Sequence, residues 1–505
     1  MKLRPSKLFI LPLFLFAQSS IFATSPPENL NHAFMSDTVV NPSNKSLIVE
    51  RYKKNIDENL QKHLHEFSDF IAIPSISSLP SHREDVQRCA NWLKDRLVSM
   101  GMERTQVIQT DGHPFVFAQW NKAPAKPTVF IYGHYDVQPV QEAFWTSKPF
   151  EPKIENGRIY GRGASDDKGG VITAIWAIET MLEKDGKLPV NIKFFFEGEE
   201  EIGSPHMEKF VSTHKDLLKA DYSYCVDAMQ ESDTQPEMIM SVRGAATMEF
   251  TLTTANRDLH SGVYGGKLPN ASQALAQIVS TLHTADGKVA VAGFYDHVKP
   301  MTAEEKAMAA KAPYDEQKEM KEYGATLFNG EQGYTATERV WYRPTLDVTG
   351  MWSGYTADDG FLNIIPGSAH CRLMCRLVED QKGDDIIELI KKHIALHLPP
   401  GVTIVYKDLG GFSNAAAKFS SNTPAFKAAF TVLSELYGNE PILMGTGGSN
   451  AALAIFKTQL GQPAYSFGFL RDDENYHSHN EFMRISDLQK GQYAFCMLLT
   501  YIGNQ

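Results

Sequence analysis

The stretch YGRGASDDKGG, residues 160–170, places two adjacent aspartates, Asp166 and Asp167, between glycine-rich flanks. Apolar residues then recur at helical spacing, at Val171, Ile175, Ile178 and Leu182. Residues 184–186 are polar and finish with a glycine, a pattern typical of a helix C-terminus. The sequence therefore predicts a helix from Lys168 to about Gly186. The aspartate pair precedes this helix, where it forms either a polar capping turn or part of a metal site.

Three short apolar runs around this stretch have the character of buried parallel strands: residues 128–133, 191–198 and 222–226. Polar residues come directly after each run. His134 and Asp136 follow the first run, glutamates 199–201 follow the second, and Asp227 follows the third. Helical patterns cover residues 48–71 and 90–100. Strands that alternate with helices predict a doubly wound, mostly parallel α/β sheet, in which ligands bind at the carboxyl ends of the strands.

Past residue 241 the pattern changes to α+β. It predicts a half-exposed strand at residues 242–254 and further strands at 369–378 and 402–407, with helices at 270–283, 299–323 and 384–398. A helix at 424–436 and a strand at 463–469 then return to the first pattern. We therefore predict a first domain of residues 47–241 and 411–505, into which an α+β domain of residues 242–410 is inserted.

Composition excludes some partners. The 505 residues carry 49 basic and 60 acidic side chains, a formal net charge of −11, and no tract of lysine or arginine. An acidic chain without a basic tract does not suit nucleic acid or an anionic membrane surface. We predict neither as a partner.

The N-terminus has the pattern of an export signal. Lys2, Arg4 and Lys7 precede the apolar run LFILPLFLFA, which is too short to span a membrane. We predict a signal peptide of residues 1–23, a flexible leader of residues 24–46, and an exported, periplasmic or secreted protein without a membrane segment after signal removal. An uncleaved anchor is the alternative.

The five cysteines are odd in number and contain no CxxC pair: Cys89, Cys225, Cys371, Cys375 and Cys496. Their apolar surroundings predict buried free thiols rather than a disulfide framework.

Histidine and carboxylates at the predicted strand ends suit a divalent metal. His134 and Asp136 lie two residues apart, so one can bind a metal while the other orients the imidazole. Glutamates 199–201, aimed into a cleft with Asp136 and Asp166, would repel one another unless cations neutralise them. Two divalent ions would do so.

Six motifs in order resemble one known family: HYD at 134–136, GRGASDDKGG at 161–170, EGEEEIGS at 197–204, the strand end at Asp227, DLHSGVYGG at 258–266 and YHSHNE at 476–481. From about residue 47 to the C-terminus the chain resembles the dinuclear-zinc metallopeptidases that include carnosine dipeptidase, glutamate carboxypeptidase and aminoacylase. The long inserted domain, with its extra stretch at residues 285–345, is most similar to the dipeptidase branch. The resemblance implies a catalytic first domain and an inserted lid and dimerisation domain.

The resemblance also implies roles at the metal site. It makes His134 and Asp227 ligands of one metal, Glu201 and His477 ligands of the other, and Asp166 the carboxylate that bridges both. Asp136 would orient His134, and Glu200 would be the general base for a water that bridges the metals, while Glu199 would be a bystander charge. A cis peptide bond between Asp166 and Asp167 is implied as well.

The substrate residues implied by the resemblance are His260, Asn363, Arg376 and Ser449. His260 would stabilise the oxyanion in the partner's site of a homodimer, and Arg376 would bind the terminal carboxylate of the substrate. The sequence departs from the family pattern at two places. Gly445 and Thr446 replace the Arg-Glu pair that relatives often carry, and His479 replaces a frequent glutamine two residues after His477.

The resemblance thus implies a metal-dependent hydrolase that cleaves dipeptides or short peptides with a free C-terminal carboxylate. Two divalent ions are expected per subunit, zinc by default, with manganese or cobalt as alternatives. A deacylase of N-acyl amino acids with the same site is the second hypothesis, and a non-catalytic binding protein the third. The glycines at 445–448 lack the context of a dinucleotide loop, and the sequence has no GxSxG motif of serine hydrolases.

Overall fold

The computed structural model describes residues 43–357, 360–407 and 413–505. The predicted signal peptide, most of the predicted leader and the predicted domain junction at 410–411 lie outside these residues. Residues 43–46, predicted to end the leader, belong to the first helix. In the described ranges, no helix has both the length and the apolar character required to cross a membrane.

The described strands, in chain order, are β1 (Arg104–Ile108), β2 (Phe115–Trp120), β3 (Thr128–His134), β4 (Lys153–Glu155), β5 (Arg158–Tyr160), β6 (Asn191–Glu197), β7 (Tyr222–Cys225), β8 (Glu237–Val242), β9 (Gly244–Thr253), β10 (Leu259–His260), β11 (Thr345–Ser353), β12 (Ile364–Ile365), β13 (Ser368–Leu377), β14 (Thr403–Lys407), β15 (Ser413–Asn414), β16 (Ala417–Lys418), β17 (Ile442–Thr446), β18 (Tyr465–Ser466) and β19 (Phe482–Arg484).

The described α-helices are α1 (Ser43–Ile71), α2 (Arg83–Ser99), α3 (Lys168–Asp185), α4 (Met207–Thr213), α5 (Lys215–Leu218), α6 (Ser261–Tyr264), α7 (Ala271–Ser280), α8 (Ala303–Lys311), α9 (Glu316–Tyr323), α10 (Ala336–Tyr342), α11 (Gly383–His397), α12 (Pro424–Tyr437), α13 (Ala451–Ile455) and α14 (Ile485–Gly503).

A six-stranded sheet in the order β1-β2-β6-β3-β7-β18 forms the centre of the first domain. β3 pairs in parallel with β6 and β7, and β18 pairs in parallel with β7, while β1 and β2 add an antiparallel edge. β3 and β6 are buried along almost their whole length, which explains their continuous apolar sequences. The predicted α/β fold with a mostly parallel sheet is confirmed.

Helix α3 holds the aspartate pair against this sheet. It begins directly after Asp167, and almost all of its residues up to Met181 are buried against α14 and β3. It ends at Gly186, whose φ of 67° is left-handed and whose N–H donates to the carbonyl of Leu182. The predicted helix with its C-terminal glycine is confirmed.

A second, antiparallel sheet contains β11, β13, β9 and β14 in this order, and β15 also pairs with β9. Its apolar side packs on α7 and α11 and forms a hydrophobic core of its own, which includes Phe250, Leu275, Leu373 and Ile390. This sheet and its helices are the inserted α+β lid expected from the sequence. The exact domain boundaries remain a prediction.

Two local predictions were wrong. The single helix at 299–323 is two helices, α8 and α9, because Pro313 lacks an N–H and disfavours the helical conformation of the residue before it. The strand at 463–469 shortens to β18. Strand β9 alternates as predicted: Met248, Phe250 and Leu252 are buried, whereas Thr247, Thr251 and Thr253 on the other face are only partly buried. Arg372 and Lys407 cover the carboxylate of Glu249 on that face.

The five cysteines are buried and free, as predicted. Burial raises the pKa of all five thiols, which disfavours the reactive thiolate form.

Candidate active site

The carboxyl ends of three neighbouring strands supply most of the predicted site residues. His134 is the last residue of β3, Glu200 and Glu201 follow β6, and Asp227 follows β7. Because β6, β3 and β7 are adjacent and parallel, these side chains reach the same edge of the sheet. Asp166, two residues before α3, joins them there.

The structure brings the five predicted metal ligands into two groups that share Asp166. One group contains His134, Asp166 and Asp227, the other Asp166, Glu201 and His477, and in each group one ligand atom per residue lies within 4.8 Å of the others. His134 Nε2 lies 3.0 Å from Asp166 Oδ1. His477 Nε2 lies 3.0 Å from Asp166 Oδ2 and 2.9 Å from Glu201 Oε2. The peptide bond after Asp166 is cis, as the resemblance implied.

Burial and mutual repulsion shift the pKa values of these groups strongly. Burial and the nearby charge of Asp166 raise the pKa of Glu201 to about 7 and that of Asp227 to about 6. Burial also opposes ionisation of Asp166, but hydrogen bonds from His134 and His477 hold its pKa below the ordinary range. Hydrogen bonds to Asp166 and Glu201 raise the pKa of His477 to about 10. The cluster therefore favours a positive charge at its centre.

No lysine or arginine among the described residues forms an ion pair with these carboxylates. Lys168 is fully buried nearby, but its Nζ donates to the carbonyls of Phe70 at 2.9 Å and Ile73 at 2.7 Å. Buried carboxylates together with two imidazole nitrogens are the kind of ligands that bind a pair of divalent ions. The residues present thus fit the metals that the sequence predicted.

Asp136 has a second role that the sequence did not predict. His134 Nδ1 lies 3.1 Å from the Asp136 carbonyl and 3.4 Å from its carboxylate, in agreement with an orienting role. The Asp136 carboxylate also accepts hydrogen bonds from the backbone N–H groups of Glu200 at 3.2 Å and Glu201 at 3.1 Å. One side chain therefore fixes His134 and the glutamate turn together. Nothing in the sequence spacing shows this contact.

Glu200 and Glu199 differ sharply despite being neighbours. The Glu200 carboxylate accepts no hydrogen bond from any described residue, and burial together with the surrounding carboxylates raises its pKa well above the ordinary value. Glu199 is buried, accepts from the N–H of His113 at 2.8 Å, and lies 2.7 Å from His206 Nδ1. Glu199 therefore helps to anchor the turn that carries Glu200, and its predicted lack of a role in the chemistry stays a prediction.

Arg376 and Ser449, predicted to contact substrate, lie together. Arg376 Nη1 donates to Ser449 Oγ at 2.8 Å, and burial lowers the pKa of this half-buried guanidinium. The next residue, Asn450, donates from Nδ2 to Asp227 Oδ2 at 3.2 Å. Sequence reasoning missed Asn450, which the pattern TGGSN could have indicated only as the N-cap of the short helix α13.

The replacement of Arg-Glu by Gly445 and Thr446 has a packing consequence. A Cβ atom on Gly445 would lie 2.7 Å from Cβ of Trp341 and 2.8 Å from Ser241 Oγ. The adjacent helix α10 therefore occupies the space of a side chain at this position. Thr446 Oγ1 instead accepts from the N–H of Gly448 at 3.1 Å and stabilises the turn before Ser449.

His260 and Asn363 form a separate exposed pair on the inserted domain. β10 pairs with β12, and the N–H of Ser261 donates to the Asn363 carbonyl at 2.9 Å. His260 Nδ1 accepts from the N–H of Gly262 at 3.0 Å, so a neutral ring carries its proton on Nε2, where it can donate. No hydrogen bond joins this pair to the metal-ligand cluster of the same chain within the described residues.

His479 is not part of either donor group. Its ring lies 6.2 Å from that of Phe144, whereas His477 faces Asp166 and Glu201. A further residue that the sequence did not suggest is Gln138, whose Nε2 donates to Glu201 Oε2 at 2.7 Å.

Comparison with known proteins agrees with this geometry. The model of peptidase family M20/M25/M40 matches residues 130–501, more than half of the chain. The chain is 29% identical to Cys-Gly metallodipeptidase dug1 of Schizosaccharomyces pombe over 88% of this chain and 96% of the relative. It is 27% identical to the Beta-Ala-His dipeptidase of Rattus norvegicus over 86% of this chain and 91% of the relative.

Among solved structures, an M20 family metallo-carboxypeptidase, Sso-CP2 from Sulfolobus solfataricus, superposes with a TM-score of 0.78 at 32% identity. That similarity covers 88% of this chain and 99% of the carboxypeptidase. The six sequence motifs, the two donor groups that share Asp166 and the match over most of the chain agree, and this protein belongs to peptidase family M20/M25/M40.

Proposed function

We propose that this protein hydrolyses dipeptides and short peptides that carry a free C-terminal carboxylate. The observation that carries the proposal is the pair of consecutive residues Ser449 and Asn450. The first contacts the guanidinium of Arg376, and the second contacts the metal-ligand candidate Asp227. These two contacts link Arg376, the proposed anchor of the carboxylate, to the candidate metal site through consecutive residues, as a hydrolase of the last peptide bond requires.

The chain supplies the remaining groups for amide hydrolysis. Bound divalent ions would polarise the substrate carbonyl and lower the pKa of water. Glu200, whose carboxylate is free of protein hydrogen bonds in the described residues, takes the proton of the attacking water and returns it to the leaving amine. Asp136 holds His134 and the N–H groups of Glu200 and Glu201, so the base and the ligands keep a fixed separation.

A homodimer would complete this site through His260. The Nε2–H of His260 suits an oxyanion donor, yet the ring has no hydrogen bond to the ligand cluster of its own chain in the described residues. Strand β11 lies at the edge of the inserted sheet and exposes Val348, Met351 and Trp352. An apolar edge strand of this kind supports pairing with a second copy.

We also propose zinc as the native metal, because imidazole and carboxylate ligands suit it, with manganese and cobalt as alternatives. Export to the periplasm or the medium is proposed from the predicted signal peptide of residues 1–23.

The proposal is tested on the purified protein, stripped of metal and then supplied with zinc or manganese. Dipeptides, including Cys-Gly and β-Ala-His after the relatives' names, are compared with tripeptides and with N-acetyl amino acids. Metal-dependent hydrolysis of the dipeptides supports the proposal. Hydrolysis of the N-acetyl compounds alone would identify a deacylase with the same carboxylate anchor, and no hydrolysis of any compound would favour a binding protein.

Replacing Arg376 by alanine should raise KM for free peptides far more than for their C-terminal amides, because a guanidinium pairs with a carboxylate and not with an amide. The measurement is kcat and KM for matched acid and amide pairs. Arg372→Ala is the control, since Arg372 lies on the same strand but pairs with Glu249. Equal effects of Arg376→Ala on acids and amides would remove the carboxylate role.

Mixing His260→Ala with Glu200→Gln should restore activity if each site is built from two chains. Random exchange makes half of the dimers mixed, and one of their two sites is complete, so we expect about a quarter of wild-type activity. A double variant, His260→Ala with Glu200→Gln, mixed with either single variant is the control and should restore nothing. Exchange without recovery would place the whole site in one chain.

A further inference from the structure

The two donor groups are supported very differently. His134 ends a buried central strand, and Asp227 lies two residues past the end of another. His477 lies instead in the irregular segment between β18 and β19, its side chain is 51% exposed, and its φ of 58° is left-handed. An exposed ligand on irregular backbone needs other contacts to hold it in place.

Glu481 supplies such contacts in the segment that carries His477. It is fully buried, and its Oε1 accepts from the N–H groups of Ser165 at 2.9 Å and Asp166 at 3.1 Å. Its Oε2 accepts from the N–H of Gly163 at 3.0 Å and from Arg162 Nη1 at 2.7 Å. One carboxylate thus binds the whole backbone turn that presents Asp166.

The contacts run in both directions between the two segments. The N–H of Gly161 donates to the Glu481 carbonyl at 3.0 Å, and Arg162 Nη2 donates to the Ser478 carbonyl, next to His477, at 2.9 Å. On the other side of His477, the buried Glu474 accepts from Ser165 Oγ at 2.8 Å. Glu474 and Glu481 therefore fasten the His477 segment to the Asp166 turn at both ends.

We propose that Glu481, assisted by Glu474, is a positioning residue that sets the separation of His477 from Asp166 and so controls the affinity of one of two divalent-cation sites. The inference rests on the proposed two-metal function. His134 and Asp227 take their positions from strands β3 and β7 and do not depend on the His477 segment. Loosening that segment should therefore weaken the site formed by Asp166, Glu201 and His477 more than the other.

The test is Glu481→Gln, which keeps the shape of the side chain but turns an NH₂ group toward N–H donors. Zinc is titrated into the metal-free full-length protein against a chromophoric chelator, which resolves two dissociation constants. Loss of a hydrogen-bonding partner of a metal site typically costs about 10- to 100-fold in affinity. We expect a loss of this size in one of the two constants and a clearly smaller loss in the other, because both sites share Asp166 but only one contains His477. Glu474→Gln should act in the same direction.

The control is Glu331→Gln, which breaks the buried pair of Glu331 with Arg343, 2.7 Å apart in the inserted domain. It can lower the melting temperature of the metal-free protein but should leave both zinc constants unchanged. If Glu481→Gln leaves both constants unchanged, or weakens both equally, the positioning role is wrong. If the wild-type protein binds fewer than two zinc ions, the proposed two-metal function itself fails, and the titration separates these outcomes.

Discussion

Glu200→Gln should leave two metal ions bound and lower kcat by about 10²- to 10⁴-fold, the usual contribution of a general base. Glutamine has the same shape but cannot accept the proton of water at neutral pH. Metal content should persist because Glu200 belongs to neither donor group. The measurements are kcat on a dipeptide and metal content of the purified variant.

The matched control is the adjacent Glu199→Gln. Glu199 binds the N–H of His113 and the ring of His206, so its replacement should lower the melting temperature with a much smaller effect on kcat. Near-normal turnover in Glu200→Gln would remove Glu200 as the base. Loss of metal from that variant would instead make it a ligand.

The framework of the site could be predicted from sequence because strand ends carry it. Apolar runs locate β3, β6 and β7, and parallel strands deliver the residues that follow them to one edge of a sheet. Six motifs in order then identified the family, which the match over residues 130–501 confirms. The ligand set and the base rest on the family resemblance, and the structure brings the five proposed ligands together.

The supporting contacts could not be predicted, because they join residues far apart in the chain. Glu481 binds N–H groups more than 300 positions away, and Asn450 reaches Asp227 across 223 positions. Backbone N–H groups leave no signal in a sequence, so periodicity and spacing cannot reveal their partners. The break between α8 and α9 is different, because Pro313 is visible in the sequence and by itself indicates an interrupted helix.

Asp166→Asn should weaken both metal sites, since its two carboxylate oxygens face His134 on one side and His477 on the other. An amide offers one weaker acceptor oxygen and no charge. The loss of zinc affinity at each site should exceed the roughly 10- to 100-fold cost of removing a ligand's hydrogen-bond partner, and hydrolysis should fall with it. Zinc titration of the metal-free variant and kcat/KM on a dipeptide measure the two effects.

Asp167→Asn is the control one residue away, and it should behave in the opposite manner. Asp167 belongs to neither donor group, and its Oδ2 accepts from the N–H of His134 at 3.1 Å. The carbonyl oxygen of asparagine can still accept from His134. Zinc affinity should therefore stay near that of the wild type. If Asp166→Asn retains one site at full affinity, Asp166 is a ligand of a single metal and the shared carboxylate must be sought elsewhere in the cluster.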